Sequence, residues 1–135
     1  SSLMDDIPTA MPAVARAVKV QKRAATVRFD WSDADPIFAV LRSEIAELEA
    51  AETPEEVAAE LGDVLFSSIN LARHLGVDPE AALRSAVARF MERFRALEAD
   101  LADRGTPVGS ADLDALEAAW TRAKATTMGT TGQST

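Results

Sequence analysis

The sequence predicts an all-α protein, an antiparallel bundle of about five helices. Apolar residues recur every three or four positions and do not alternate as they would in a strand. Asp–Pro and Thr–Pro pairs and single glycines divide these apolar segments at regular intervals. Because helices joined by short connections pack as antiparallel neighbours, the expected architecture is a bundle.

Each predicted helix has boundary signals in the sequence. The second begins at Asp35, the expected N-cap, followed by a proline at the first helical position. Thr53 and Glu56 form a capping box before the third helix, and Gly76 ends it. The predicted helices cover about 12–27, 35–51, 54–75, 79–103 and 112–125. We expect a flexible N-terminus over 1–11, one domain over 12–125 and a disordered tail over 126–135.

Composition limits the possible functions. The chain has 135 residues, 14 basic and 22 acidic side chains, a net charge of −8, one His and no Cys. The absence of cysteine excludes disulfides, Cys–zinc sites and thiol nucleophiles. The acidic balance argues against sequence-independent nucleic-acid binding, and no apolar run is long enough to span a membrane. No secretory signal is recognised at the N-terminus, so we expect a cytoplasmic protein with neither nucleic acid nor membrane as partner.

Carboxylates occupy helix positions where apolar residues belong. On a helical wheel Glu44 falls about 20° from Ile37, inside the apolar stripe of the second helix, and Glu47 lies at its edge. In the third helix Glu60 borders the apolar stripe, and Asp63 begins a polar strip beside it. A charge that faces a core is costly unless it is paired, protonated or bound to metal.

These carboxylates form two matched pairs, Glu44-x-x-Glu47 and Glu60-x-x-Asp63, on consecutive helices. Residues three apart share a helix face, so an antiparallel pair of helices can gather all four. Clustered carboxylates repel one another and are neutralised by a hard divalent cation such as Mg²⁺. Salt bridging on a solvated surface is the alternative. A di-iron site is disfavoured because it requires two Glu-x-x-His motifs, and the chain has a single His.

The fourth helix provides cations and aromatic residues. Arg89 and Arg93 lie one turn apart beside the apolar stripe and could form a fork for phosphate oxygens or pair with the acidic helices. Phe90 and Phe94 belong to the stripe and are expected in the core. Either tryptophan, Trp31 or Trp120, could pack internally or stack on a planar base. We expect His74 to cap a helix or to form hydrogen bonds.

Several segments resemble the MazG nucleoside triphosphate pyrophosphohydrolases, a family of the all-α NTP pyrophosphatase superfamily. The family pattern is E-x-x-E, a gap of a dozen or more residues, and then E-x-x-D. The likeness runs from about 17 to 124 and is closest to the catalytic C-terminal half of two-domain MazG proteins. The segments that carry it are QKRAATVRFDW at 21–31, SEIAE at 43–47, ELGDVLF at 60–66, NLARH at 70–74 and RFMERFR at 89–95.

The resemblance implies Mg²⁺-dependent hydrolysis of a (deoxy)nucleoside triphosphate to the monophosphate and pyrophosphate by water attack at the α-phosphorus, with Mn²⁺ as a possible substitute. It also implies a homodimer or a dimer of dimers, which would complete the bundle. By motif position, the metal ligands and catalytic residues would be Glu44, Glu47, Glu60 and Asp63. Substrate contacts would come from Arg89, Arg93 and Lys22 for phosphates, Trp120 for substrate, Trp31 for the base and Asn70 for the sugar.

Position 43 departs from the family pattern. Many relatives have Glu there, which in some is thought to activate the water, whereas this chain has Ser43. The candidates for the general base are therefore Glu44, Glu47 and Glu56, or metal coordination alone, which lowers the pKa of water. Ser43 also favours the alternative function, a non-catalytic helical module that binds nucleotide or serves assembly. A purely structural bundle is the third possibility.

Overall fold

The computed structural model describes residues 1–131, with backbone alone for 128–131. This range is helical and contains no strand, which confirms the all-α prediction. The α-helices are α1 (Ala13–Ala25), α2 (Asp35–Ala50), α3 (Pro54–His74), α4 (Pro79–Asp103) and α5 (Leu113–Thr131), with a short 3₁₀ helix at Val108–Ser110. None of these helices combines the length and the hydropathy that a bilayer-spanning segment needs.

The end of α1 and the start of α2 differ from the prediction. Helix α1 ends at Ala25 rather than Val27, because Arg28 adopts a left-handed backbone conformation with φ of 66°. The predicted N-cap of α2, Asp35, lies inside the helix, and Ala34 takes the cap position without a side-chain hydrogen bond. Asp33 compensates, since its Oδ1 accepts a 3.0 Å hydrogen bond from the Asp35 backbone N–H.

The boundaries of α3 agree closely with the prediction. The Glu56 backbone N–H donates to Thr53 Oγ1 at 3.1 Å, and Glu56 Oε1 accepts from the Thr53 N–H at 3.0 Å, which completes the capping box. At the other end Gly76 has a φ of 72°, a left-handed conformation that glycine adopts without a Cβ penalty. Helix α3 thus has defined ends.

The chain divides into two compact units, the first Ser1–Ala82 and the second beginning at Leu83. In the first unit α2 and α3 are antiparallel: Glu44 contacts Ser67, whereas the later Glu47 lies beside the earlier Glu60. Ile37 of α2 is fully buried. The N-terminal segment 1–11, predicted to be flexible, contributes the buried Ile7 to this unit.

The second unit has its own small core. Leu97 and Leu101 of α4 pack with Ala119 and Ala123 of α5. The expectation that Phe90 and Phe94 are core residues is wrong, since they are 57% and 37% exposed. The buried cluster of this unit begins only at Leu97, and the two phenylalanines stack on each other at its edge, with ring centroids 6.1 Å apart.

Helix α5 continues to Thr131, past the predicted end at Ala125. A buried residue lies in this extension: Thr127 Oγ1 accepts a 3.2 Å hydrogen bond from Arg93 Nε and donates one of 2.9 Å to the Ala123 carbonyl. The Thr- and Gly-rich composition did not reveal this contact. Of the tail predicted at 126–135, the part 126–131 is helical, and 132–135 lie outside the described residues.

Candidate functional site

Three of the four predicted carboxylates meet between α2 and α3. Glu44, Glu47 and Glu60 each offer an oxygen, and these oxygens lie within 4.8 Å of one another. The antiparallel packing of two helices with matched acidic pairs brings them together, as the spacing predicted. Within residues 1–131 none of the three forms an ion pair with Arg or Lys, so surface salt bridging does not describe this cluster.

Glu60 shows the electrostatic cost of the cluster. Its Oε2 is buried and has no hydrogen-bond partner in the part of the chain that the structure describes. Burial, followed by the neighbouring Glu47 and Asp63 carboxylates, raises the pKa of Glu60 above its ordinary value. An orphaned oxygen among mutually repelling carboxylates suits a hard cation that takes oxygen ligands. These residues therefore fit a divalent metal ion.

Asp63 lies one turn after Glu60 and is exposed. Its charge contributes to the raised pKa of Glu60, so it is near the cluster. Among the described residues it is not a member of the group whose oxygens lie within 4.8 Å. Three predicted metal ligands are thus brought together, and the fourth lies beside them.

A serine on α3 holds one of the carboxylates. Ser67 Oγ donates a 2.7 Å hydrogen bond to Glu44 Oε1 across the α2–α3 interface. Glu56, one of the candidate general bases, has a different task, because its Oε1 accepts the backbone N–H groups of Glu52 and Thr53. Ser43 is exposed on α2.

A cavity of about 530 Å³ is lined by residues of the first unit, among them Phe66, Asn70 and Arg73 of α3. Phe66 lines the cavity, and the next residue, Ser67, bonds Glu44. The lining is mainly apolar, with a few polar groups, as is typical of small-molecule sites. The lining includes the aromatic residues Phe29, Trp31 and Phe66 and the polar residues Gln21, Asn70 and Arg73.

Gln21 of α1 is 6% exposed and is one of the residues that line this cavity. Its Nε2 donates a 3.0 Å hydrogen bond to the backbone carbonyl of Phe66. Its Oε1 is buried and has no partner within residues 1–131. A side chain of the cavity wall therefore carries an unsatisfied hydrogen-bond acceptor.

The connector between α1 and α2 is fixed to the end of α3 by Asp30. Arg73 donates to both carboxylate oxygens at 3.0 and 2.7 Å, and His74 Nε2 lies 2.8 Å from Oδ1. Mainly because of Arg73, the pKa of Asp30 lies far below its ordinary value. This pairing places Phe29 and Trp31 at the cavity wall. It also confirms the expectation that His74 forms hydrogen bonds.

The remaining predicted substrate-binding residues are not among those that line this cavity. Lys22 is exposed and is not among the residues that line the cavity. In the second unit, Arg89 Nη1 donates to Ser85 Oγ at 3.1 Å, and Trp120 packs against Phe90 with centroids 5.3 Å apart. Arg93 is 5% exposed, and its Nη2 is buried without a partner within residues 1–131.

Four residues that line the cavity or contact the carboxylate cluster were not predicted as site residues from the sequence: Gln21, Asp30, Ser67 and Arg73. The sequence pattern could have indicated two of them. Gln21 lies on the apolar face of α1, and Ser67 lies in the polar strip of α3 with Asp63. Asp30 and Arg73 are far apart in sequence, and no periodic pattern links a connector to a helix end.

Comparison with known proteins gives consistent matches. A sequence profile of phosphoribosyl-ATP pyrophosphohydrolase matches residues 13–90. The chain is 41% identical over 128 residues to a nucleoside triphosphate pyrophosphohydrolase of Escherichia coli K12, covering 91% of this chain and 49% of that protein. It is 38% identical over 124 residues to the nucleoside triphosphate pyrophosphohydrolase/pyrophosphatase MazG of Thermotoga maritima, covering 92% and 49%.

A third relative is the uncharacterized protein YabN of Bacillus subtilis, 37% identical over 130 residues, which cover 93% of this chain and 27% of YabN. The chain thus spans about half the length, or less, of the curated relatives that it matches.

Proposed function

Because the chain belongs to the MazG nucleoside triphosphate pyrophosphohydrolase family, we propose that it is an enzyme that hydrolyses (deoxy)nucleoside triphosphates to the monophosphate and pyrophosphate. The observation that carries the proposal is the cluster of Glu44, Glu47 and Glu60 with its orphaned Glu60 oxygen. The proposed catalytic domain is 12–125.

The cluster is proposed to hold Mg²⁺, with Asp63 as the fourth carboxylate ligand and Mn²⁺ as a substitute. When bound, the ion would neutralise triphosphate charge and orient the phosphates for attack. Ser67 supports this arrangement, because its hydrogen bond restrains Glu44 in one orientation. The protein's own contribution is positioning and electrostatics.

The proposed reaction is a single displacement. A water oxygen bonds to the α-phosphorus, the bond from that phosphorus to the α,β-bridging oxygen breaks, and pyrophosphate leaves. The water proton passes to a carboxylate. Glu44 and Glu47 are the candidates for this general base, because Glu56 is engaged in the cap of α3 and position 43 is a serine.

Substrate contacts are proposed on both units, each taken by itself. In the first, Trp31 and Asn70 line the cavity that would receive the base and sugar. In the second, Arg93 supports phosphate binding because its buried Nη2 lacks a partner within the described residues. Arg89, Lys22 and Trp120 complete the proposed set.

A homodimer or a dimer of dimers is the proposed assembly. Its support is a set of large apolar side chains left exposed on one face of α3, where Val57, Leu61 and Leu65 recur every four residues. No nucleic-acid or membrane partner is proposed, and a cytoplasmic location stays a prediction.

The alternative is a helical module that binds nucleotide or serves assembly without turnover. Ser43 favours it, because a carboxylate is missing where many relatives have one. Calorimetry distinguishes the two functions: tight binding of Mg²⁺ and nucleotide without products would support the alternative.

The test is pyrophosphate release from a panel of NTPs and dNTPs, with Mg²⁺, with Mn²⁺ and with EDTA. Release from at least one nucleotide, abolished by EDTA, is expected. Glu60→Gln should reduce it at least a hundredfold, whereas Glu49→Gln, an exposed acid of α2 outside the cluster, should leave it unchanged. Full turnover by Glu60→Gln would refute the metal assignment.

A further inference from the structure

We propose that Gln21 recognises the nucleobase: its Oε1 accepts a hydrogen bond from an N–H on the edge of the base that fills the 530 Å³ cavity. The inference rests on the proposed function for the identity of the ligand as a nucleotide. It adds a specificity residue to the substrate contacts of that site.

The orientation of the Gln21 amide is fixed by its neighbour. The backbone carbonyl of Phe66 can only accept a hydrogen bond, so the amide must direct Nε2 toward it, as the 3.0 Å contact shows. The reverse orientation would place two carbonyl oxygens against each other. Oε1 is therefore the atom left for a ligand, and it can only accept.

Burial makes this acceptor selective. Gln21 is 6% exposed, and a buried carbonyl without a partner costs free energy. A ligand that brings an N–H satisfies the carbonyl, whereas a ligand with a lone pair or a methyl group at that place does not. Sites built to hydrogen-bond a substrate group strongly reject analogues that lack it.

The other cavity residues favour a flat, heteroaromatic ligand. Phe29, Trp31 and Phe66 provide aromatic walls, on which a planar ring can stack. Asn70 offers a hydrogen-bond donor. Its Oδ1 accepts a 2.7 Å hydrogen bond from Arg73, which leaves Nδ2 to donate to a ligand. A nucleobase edge with adjacent N–H and lone-pair positions matches this combination.

The position along α3 suits a nucleotide bound at both ends. Asp63 and Asn70 are two turns apart, about 10 Å along the helix axis, a separation on the scale of one nucleoside. A base against Gln21 would thus leave its phosphates toward the carboxylate cluster.

The experiment measures binding of nucleoside monophosphates in EDTA, by calorimetry and tryptophan fluorescence, so that the base site is tested without metal. Each probe is paired with an analogue that lacks one N–H donor group: the amino group in the pairs of AMP with purine riboside monophosphate and of CMP with pyrimidin-2-one riboside monophosphate, and the ring N3–H in the pair of UMP with its N3-methyl derivative. For the bases that bind, removal of the N–H should weaken binding at least about fivefold.

Gln21→Met keeps the side-chain length and removes the acceptor. The ratio of the dissociation constants of the two members of each pair should therefore fall to near one. Arg16→Met, an exposed change on the same helix, is the matched control and should keep the ratio. Because Gln21→Met could unfold the protein, the wild-type ratios serve as an independent test, and thermal melting checks the variant.

The inference is overturned if wild-type protein binds both members of every pair equally, if no monophosphate binds at millimolar concentration, or if the ratio persists in Gln21→Met. The proposed function fails separately. If the ratio is intact but no nucleotide releases pyrophosphate, the hydrolase is refuted and the base site is kept. If pyrophosphate is released but the two members of each pair bind equally, the hydrolase is kept and the base site is refuted.

Discussion

Ser67 Oγ lies 2.7 Å from Glu44 Oε1 and joins α3 to α2 at the carboxylate cluster. The hydroxyl can donate only one hydrogen bond, and it directs that bond to a carboxylate rather than to the backbone of its own helix. The bond therefore restrains the orientation of Glu44, which offers a carboxylate oxygen to the cluster.

Ser67→Ala should release Glu44 from this orientation. We expect the Mg²⁺ concentration for half-maximal pyrophosphate release to rise about tenfold, as is common when a residue that orients a metal ligand is lost. Ser68→Ala is the control, because the bond of its hydroxyl among the described residues goes to the Val64 carbonyl of its own helix. Equal shifts in the two variants would show that the Ser67 bond does not orient a metal ligand.

Glu60 should make metal-free protein less stable as the pH rises. Its pKa is raised in the folded state, so the folded protein binds its proton more tightly than the unfolded chain, and the free energy of unfolding falls above the ordinary pKa of 4.5. In EDTA, the free energy of unfolding of Glu60→Gln, measured with urea, should equal that of wild type near pH 4 and exceed it at pH 7. For Glu49→Gln the difference from wild type should not grow with pH. If the difference does not grow for Glu60→Gln either, the raised pKa of Glu60 is contradicted.

Asp30→Asn should loosen the connector that carries Trp31. Loss of the charge-assisted bonds to Arg73 and His74 is expected to lower stability by about 1–3 kcal/mol at pH 7. The folded pKa of Asp30 is lowered, so this stabilisation is present above the ordinary value of 3.8 and is lost as the pH falls below it. The difference from wild type should therefore shrink in acid. Asp33→Asn, which keeps the side-chain oxygen that accepts from the Asp35 backbone N–H, should cost much less.

Thr127→Val should destabilise the second unit. The change is nearly isosteric but removes the oxygen that accepts from Arg93 Nε, which leaves a buried guanidinium with a further unsatisfied N–H. A loss of about 1–3 kcal/mol is expected by chemical denaturation. Thr126→Val is a close control, because both hydroxyls donate to the Ala123 carbonyl, but in the structure only Thr127 bonds Arg93. A similar loss in both variants would assign the effect to the Ala123 bond instead.

Local chemistry made much of the fold predictable. The capping box at Thr53 and the glycine after α3 act over a few residues, so the helix ends could be placed to within one residue. The cluster of Glu44, Glu47 and Glu60 was also predictable, because periodicity defines helix faces and short loops define antiparallel neighbours.

The features that the sequence did not predict depend on tertiary contacts. Phe90 and Phe94 have the spacing of core residues, but periodicity does not say how much of a stripe another helix covers. Thr127 lies in a segment of polar composition, which indicates neither its buried contact with Arg93 nor the continuation of α5 past Ala125. The Asp30–Arg73 pair joins positions that no local pattern connects.

The hydrogen bond from Gln21 to Phe66 ends on the main chain, and this has an evolutionary consequence. Replacing the phenyl ring with another side chain would reshape the cavity wall but would keep the carbonyl that orients the glutamine. In the proposed base site, selection could therefore alter the size of an accepted base and its hydrogen-bonding preference at separate codons, 66 for the former and 21 for the latter.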